Sequence, residues 1–193
     1  MLNVDTDLDQ EMSKYTRMWE LGKYRDHSPA EHLLQKYPHL FVNESVAVVN
    51  DYGCGTGRAL PELRRLFPNA EINQIDITEN SRDEGFEADN FYQACLWQLD
   101  DLPHCNFGVC VDVIEHIPAH RVDDVLFNLA GGCDRLFLQG SMVKDNCGKL
   151  IGETLHLTVE NWDWWDRKIS QYFNAVVEPS VNDSTFKGLW VPK

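Results

Sequence analysis

The chain has 193 residues, enough for one domain with a substantial core, and its 43% apolar and 25% charged content is that of an ordinary globular protein. A net charge of −14 sets it against phosphate backbones, because nucleic-acid affinity comes largely from Lys and Arg displacing counterions. No apolar run approaches the roughly 20 residues that span a bilayer, and the acidic start MLNVDTDLDQEM lacks the basic and apolar stretches of a signal peptide. The expectation is a single-domain cytoplasmic protein with no membrane segment and with nucleic acid disfavoured as a partner. Nothing in the sequence fixes the oligomeric state.

In chain order, residues 8–22 and 29–37 read as helices, the second with Ser28 as its cap and Pro29 at its first position. SVAVVND (45–51) is a β-branched run suited to a strand buried on both faces. A helix follows it with Leu60, Leu63 and Phe67 on one face, Pro61 being tolerated in the first turn. AEINQID (70–76), NFYQACL (90–96) and NFGVCVD (106–112) read as three more strands. Next comes a helix opened by Pro118, with Val122, Val125, Leu126 and Leu129 on one stripe. CDRLFLQG (133–140) is a fifth strand, and residues 160–173 form a helix with Trp162, Trp165, Ile169 and Phe173 at helical spacing. The tail reads as two strands joined by an Asn-Asp-Ser turn. Strands alternating with helices predict a mostly parallel α/β sheet, and the closing strand pair predicts an antiparallel edge. Residues 1–40 form an N-terminal helical lid, and residues 45–193 form the core of one domain. Six cysteines show no CxxC pair and no metal-finger spacing, and three fall in apolar runs, so no structural disulfide is expected.

Gly53, Gly55 and Gly57 stand where the first strand becomes a helix. Such a turn offers unpaired backbone N–H groups, and glycine lets a ligand approach the main chain. The spacing differs from the GxGxxG of dinucleotide enzymes, and the Lys-Ser/Thr pair of a nucleotide-phosphate loop is missing. Asp76 ends the next strand, where a carboxylate can accept hydrogen bonds from both ribose hydroxyls of a nucleoside ligand.

DYGCGTG (51–57), QIDIT (74–78), ACLW (94–97) and VDVIEHIP (111–118) together resemble the class I S-adenosylmethionine-dependent methyltransferases, with the last stretch close to the branch that methylates quinones and other small molecules. The resemblance runs from about residue 45 to 175. It implies a Rossmann-like, seven-stranded, mostly parallel sheet of order 3-2-1-4-5-7-6, strand 7 antiparallel, with helices on both faces. It also implies S-adenosyl-L-methionine as cofactor. Asp51, the Gly53–Cys54–Gly55 backbone and Gly57 would hold the methionine part, Asp76 the ribose and Ile77 the adenine face. Leu96 and Trp97 would close the adenine pocket, and the main chain of Asp112 and Val113 would face the methionine arm. The family often has Asp where this chain has Cys95, so weaker or differently arranged adenine contacts are expected.

The implied activity is methyl transfer to a small-molecule or sugar acceptor, by O- or N-methylation. The alternatives are a nucleic-acid or protein methyltransferase, or a cofactor-binding subunit without catalysis. A hydroxyl acceptor needs a proton acceptor, for which Asp112, Glu115, His116, His120 and His156 are candidates. His116 is expected to pack and His120 to be solvated. His156, in the acceptor-facing segment after strand 5, is the expected catalytic residue. Tyr15, Tyr24 and Arg25 are the expected lid contacts; Trp162 and Trp165 are expected in the core and Trp164 half exposed or at the acceptor. Asp112, Glu115, His116 and His156 also resemble the magnesium-holding cluster of small-RNA 2′-O-methyltransferases. Two imidazoles make the set softer than magnesium prefers, so no metal and no divalent-ion dependence are expected.

Overall fold

The computed structural model describes residues 6–26, 29–41, 45–99 and 101–193; Ser28, the expected helix cap, lies outside them. Two helices, α1 (Thr6–Trp19) and α2 (Gly22–Arg25), precede α3 (Pro29–Lys36). The core then runs β1 (Val48–Tyr52), α4 (Leu60–Leu66), β2 (Glu71–Asp76), β3 (Asn90–Gln93), β4 (Phe107–Val111), α5 (Val122–Gly132), β5 (Leu136–Ser141) and α6 (Trp162–Tyr172). It closes with β6 (Phe173–Ala175), β7 (Ser180–Val181) and β8 (Thr185–Pro192).

The sheet order is β3-β2-β1-β4-β5-β8-β6, with the first five strands parallel and β8 antiparallel to both neighbours. This is the expected Rossmann-like order, β8 standing in the place of the family's strand 7. The tail differs in one respect. It contributes two short strands beside β8, because β7 pairs with β8 across the turn at Asn182 while β6 takes the outer position.

Both faces of the sheet are covered. On one, α5 and α6 place Val125, Leu126, Leu129, Trp165 and Ile169 against Tyr52, Ile75 and Leu138. On the other, Leu34 of α3 and Leu60 and Leu63 of α4 pack on Val49, Ile72, Val109 and Phe137. Strand side chains alternate between these layers, which is why apolar residues fill both registers of the central strands. All six cysteines are free thiols. Among the described residues no helix is long and apolar enough to cross a membrane.

An asparagine ladder interrupts the apolar layer. Asn73 Nδ2 donates to Asn50 Oδ1 (2.8 Å), and Asn90 Nδ2 donates to Asn73 Oδ1 (2.9 Å). Asn50 Nδ2 in turn donates to Tyr52 Oη and to the Pro103 carbonyl. The three asparagines are neighbours in the β1–β2–β3 register, so the ladder holds only when all three strands are aligned. Asn73→Leu should leave the buried Asn50 Oδ1 without its donor, while Asn90 keeps Glu71, and cost about 1–3 kcal/mol, read as a lower denaturation midpoint. An unchanged midpoint would show that the ladder carries no weight.

Candidate functional site

The parallel strands end together, and their carboxyl ends open into a cavity under α1 and α2. Asp51, Gly53, Cys54, Gly55, Asp76, Ile77, Leu96, Trp97, Asp112, Val113 and His156 all line it. Gly57 stands behind the loop instead. Its left-handed φ of +78° and the 2.8 Å that would separate a Cβ from the Phe86 carbonyl oxygen make it a packing glycine. Gly53 also has positive φ, and a Cβ there would meet Val113 Cγ2 at 2.4 Å.

The loop N–H groups are not free, contrary to the reading from the sequence. Those of Gly53 and Cys54 both donate to the Ile75 carbonyl, and that of Gly55 donates to Asp76 Oδ2 (2.9 Å). With its donors spent on β2, the loop is poorly suited to cradle phosphate. It offers carbonyl oxygens and close approach.

Asp51 and Asp76 are 3% and 6% exposed at the ends of adjacent strands. Asp76 accepts from Gly55 N, Thr78 N and Thr78 Oγ1, yet burial pushes its carboxyl up to about 6. Burial, and then the Asp76 charge, push Asp51 up to about 7, and Asp51 Oδ2 has no hydrogen-bond partner. Five acidic residues (Glu11, Asp51, Asp76, Asp112 and Asp145) line the cavity, and among the described residues no lysine or arginine does. Such a site favours a cation with hydrogen-bond donors and repels phosphate.

The lid departs from expectation in detail. Tyr15 and Tyr24 line the cavity, but Arg25 does not. Arg25 binds Asp83 Oδ1 and the carbonyls of Trp19, Asn80, Ser81 and Arg82, fastening α2 to the segment after β2. Trp19, unnoticed in the sequence, takes the ligand-facing place, its Cη2 lying 3.1 Å from where a Gly55 Cβ would be. Lys14 donates to the Thr154 carbonyl and Arg17 pairs with Glu153, tying α1 to the segment after β5.

His116 is not a mere packing residue. It lines the cavity, its Nδ1 bonds Tyr15 Oη, and its ring meets that of His156 edge-on at 4.8 Å between centroids. Burial and then the neighbouring His156 push its imidazole down to about 4. His156 donates Nδ1–H to the Val143 carbonyl (2.6 Å), while Asp145 Oδ2 accepts from the Leu155 and His156 N–H groups. His120 is 66% exposed on its pair with Asp7. Trp165 is fully buried, Trp162 packs on Phe186, and Trp164 meets Trp165 edge-on beside Lys168 and does not line the cavity. Cys95 sits in the apolar cluster and is not among the lining residues, where Ala94, Leu96 and Trp97 appear instead. Adenine contacts through the Cys95 side chain are therefore not built into this wall. Asp112 adopts φ +60°, a conformation aspartate tolerates better than most residues, and this turns the chain sharply from β4 into the site.

The strand order and topology are those of the Rossmann-like methyltransferase fold. No protein-family model matches the sequence, and no curated protein does. Among solved structures, the N-methyltransferase NodS from Bradyrhizobium japonicum WM9, in complex with S-adenosyl-l-homocysteine, superposes with a TM-score of 0.65 at 11% identity, over 96% of this chain and 98% of that one. Magnesium protoporphyrin IX methyltransferase ChlM from Synechocystis PCC 6803, with the same compound bound, gives 0.61 at 17% identity over 95% and 94%. The mitomycin 7-O-methyltransferase MmcR gives 0.67 at 12% identity over 95% of this chain and 60% of that one. At these identities the likeness is one of fold.

Two outcomes follow from the buried carboxylates and the loop. Both acids hold a proton more tightly folded than unfolded, so their contribution to the stability of the empty protein falls as pH rises from about 4 through about 7. Affinity for a cationic ligand should rise over the upper part of that range; Asp51→Asn should flatten both profiles in melting and calorimetric titrations. Gly55→Val should strain the backbone at φ +52° by about 1–3 kcal/mol and push a side chain against Trp19, leaving a folded protein that no longer binds S-adenosylhomocysteine. Normal binding by that variant would reduce the glycine to a turn residue.

Proposed function

We propose that this protein transfers the methyl group of S-adenosylmethionine to a small-molecule or sugar acceptor. The observation that carries the reading is the pair of buried carboxylates beside the glycine loop, one with an oxygen that lacks any partner. Asp51 would accept from the cofactor's ammonium group and Asp76 from its ribose hydroxyls. Ile77, Leu96 and Trp97 would enclose the adenine, while Gly53, Cys54 and Gly55 would let the methionine part lie close to the main chain. Asp112 and Val113 would flank the methionine arm. The bound cofactor supplies an electrophilic methyl carbon on a sulfonium.

The protein's share of the chemistry is placement and exclusion of water. Transfer is an in-line displacement in which the acceptor's lone pair forms the new bond as the carbon–sulfur bond breaks, so fixing the two reactants in line supplies much of the acceleration. Tyr15 and Tyr24 from the lid, with His116 and His156 on the core side, would face the acceptor. An acidic wall without cationic side chains supports a neutral or cationic small acceptor over nucleic acid. His156 is the residue proposed to act on the acceptor, because its Nδ1–H is spent on Val143 and its Nε2 remains available to the cavity.

Calorimetry should detect binding of S-adenosylmethionine or its demethylated product, and Asp76→Ala should weaken it by about 1.5–3 kcal/mol, the cost of losing hydrogen bonds to a charged group. His156→Ala should keep that binding and lose methyl transfer to any acceptor found by screening. Tight binding of a nicotinamide dinucleotide in place of the methyl donor would sink the proposal.

A further inference from the structure

At the amino ends of β4 and β5, opposite the cavity, two cysteines meet that the site leaves unused. Cys105 precedes β4, and Cys133 lies between α5 and β5. An isolated parallel bridge joins them: Cys105 N–H donates to the Gly132 carbonyl and Asp134 N–H to the Cys105 carbonyl, both at 3.0 Å. Residues bridged in this way have Cα atoms about 4.8 Å apart, inside the roughly 4.4–6.8 Å span of disulfides. Both thiols are buried in the same apolar cluster, at 0% and 1% exposure. Beside them Asn106 Nδ2 donates to Asp134 Oδ2 at 3.0 Å, and Asn106 Oδ1 accepts the Ala47 and Val48 N–H groups, which fixes the pairing.

The surroundings of the two sulfurs differ. Asn50 Nδ2 donates to Tyr52 Oη, which lies 3.7 Å from Cys105 Sγ, so the phenol's own proton can turn to that sulfur. The Cys133 proton has two acceptors, the Leu129 carbonyl at 3.0 Å and the Cys105 sulfur. Donation from Cys133 foremost, opposed by burial and aided by Tyr52, holds the Cys105 thiol below its ordinary range; the same bond, with burial, pushes Cys133 up. Cys105 is therefore the attacking thiol and Cys133 the one that keeps its proton. We propose that Cys105 and Cys133 are a modification site for hydroperoxides, which oxidise the pair to a disulfide clamping β4 to β5. The Cys105 sulfur attacks one peroxide oxygen, the O–O bond breaks, and the departing oxygen takes the thiol's proton, leaving Cys105 as a sulfenic acid. The Cys133 sulfur then attacks the Cys105 sulfur, and its proton leaves with the sulfenic hydroxyl as water. Two thiols are oxidised and one peroxide is reduced. A small oxidant reaches the pair by way of residues 101–104, where Asp101 and His104 are exposed, so opening this stretch suffices without unfolding the sheet. The bond closes a ring from residue 105 to residue 133 that carries β4, the turn at Asp112 and α5, and it restricts the unfolded chain.

The test treats the folded, fully reduced chain with hydrogen peroxide, alkylates the remaining thiols on unfolding, and digests with trypsin without reduction. Cleavage after Arg82, Arg121 and Arg135 leaves Cys133 as the one cysteine on residues 122–135, and Cys105 on residues 83–121 with Cys95 and Cys110. These two peptides should appear joined, and fragmentation should place the link at Cys105. Cys105→Ala should abolish the link, whereas Cys95→Ala and Cys110→Ala should keep it. In Cys133→Ala, oxidation should stop at a sulfenic acid on Cys105, trapped by dimedone. The oxidised wild-type protein should melt roughly 5–10 °C above the reduced protein, return to the lower value with dithiothreitol, and show no such rise as Cys133→Ala. Should Cys105→Ala fail to fold, the link site in the wild-type protein and the dimedone adduct decide. The proposal is overturned if folded protein shows no link at a dose that oxidises the half-buried Cys147, or if Cys133 is joined through Cys95 or Cys110. A linked protein that melts no higher than the reduced one overturns the clamp as well.

Discussion

Two carboxylates buried at the ends of adjacent parallel strands, with no lysine or arginine among the described residues lining their cavity, are the constraint around which this site is arranged. Their proximity follows from the β1–β2 register, in which Asp51 pairs with Gln74 and Tyr52 with Ile75. A slip of one residue would turn Asp51 and Val49 toward the opposite layer and Tyr52 out of its own. The asparagine ladder guards against this, since Asn50, Asn73 and Asn90 satisfy one another in one alignment only. The glycine loop is bound to the same register. Gly53 and Cys54 both donate to Ile75, and Gly55 donates to Asp76, so the loop is a continuation of β2's hydrogen bonding as much as of β1's chain.

The lid depends on a different kind of force. Apolar burial contributes through Met18 and Trp19, but many of its ties to the core are polar: Arg25 on Asp83 and the carbonyls of Asn80, Ser81 and Arg82, Asn80 on the Thr16 carbonyl, Lys14 on the Thr154 carbonyl, and Arg17 on Glu153. The partly exposed charge pairs among them, Arg25–Asp83 and Arg17–Glu153, hold a segment in place at little net free energy. An element closed mainly by such contacts opens locally at lower cost than one closed by a deep apolar face. That suits a cover over a cavity whose ligands must enter and leave, and it separates the stability of the sheet from the mobility of the site.

The strand order, the helical stripe of α5 and the roles of Gly53, Gly55, Asp51 and Asp76 as cavity residues were legible because each rests on local pattern. Alternating apolar runs mark buried strands, and glycines between a strand and a helix mark the turn. What escaped depends on contacts between distant residues. Tyr15 and His116 are 101 positions apart, and Arg25 reaches residues more than 50 positions onward. No periodicity carries such pairings. The free loop donors failed for a related reason: whether an N–H is available depends on which carbonyl the neighbouring strand presents. Cys95 illustrates the limit of residue-by-residue transfer, since the chain turns that side chain into the apolar cluster while its neighbours line the cavity.

Charge balance joins the two ends of the cavity. At the loop end, Asp51 and Asp76 are offset when a ligand with ammonium and sulfonium character occupies the site, and burial then strengthens the attraction that makes them costly when empty. At the other end the same ligand cannot neutralise everything. Asp112 lies close enough to Glu115 that its charge, after burial, raises the glutamate well above the carboxylate range, while burial and then His156 push the neighbouring His116 imidazole down to about 4.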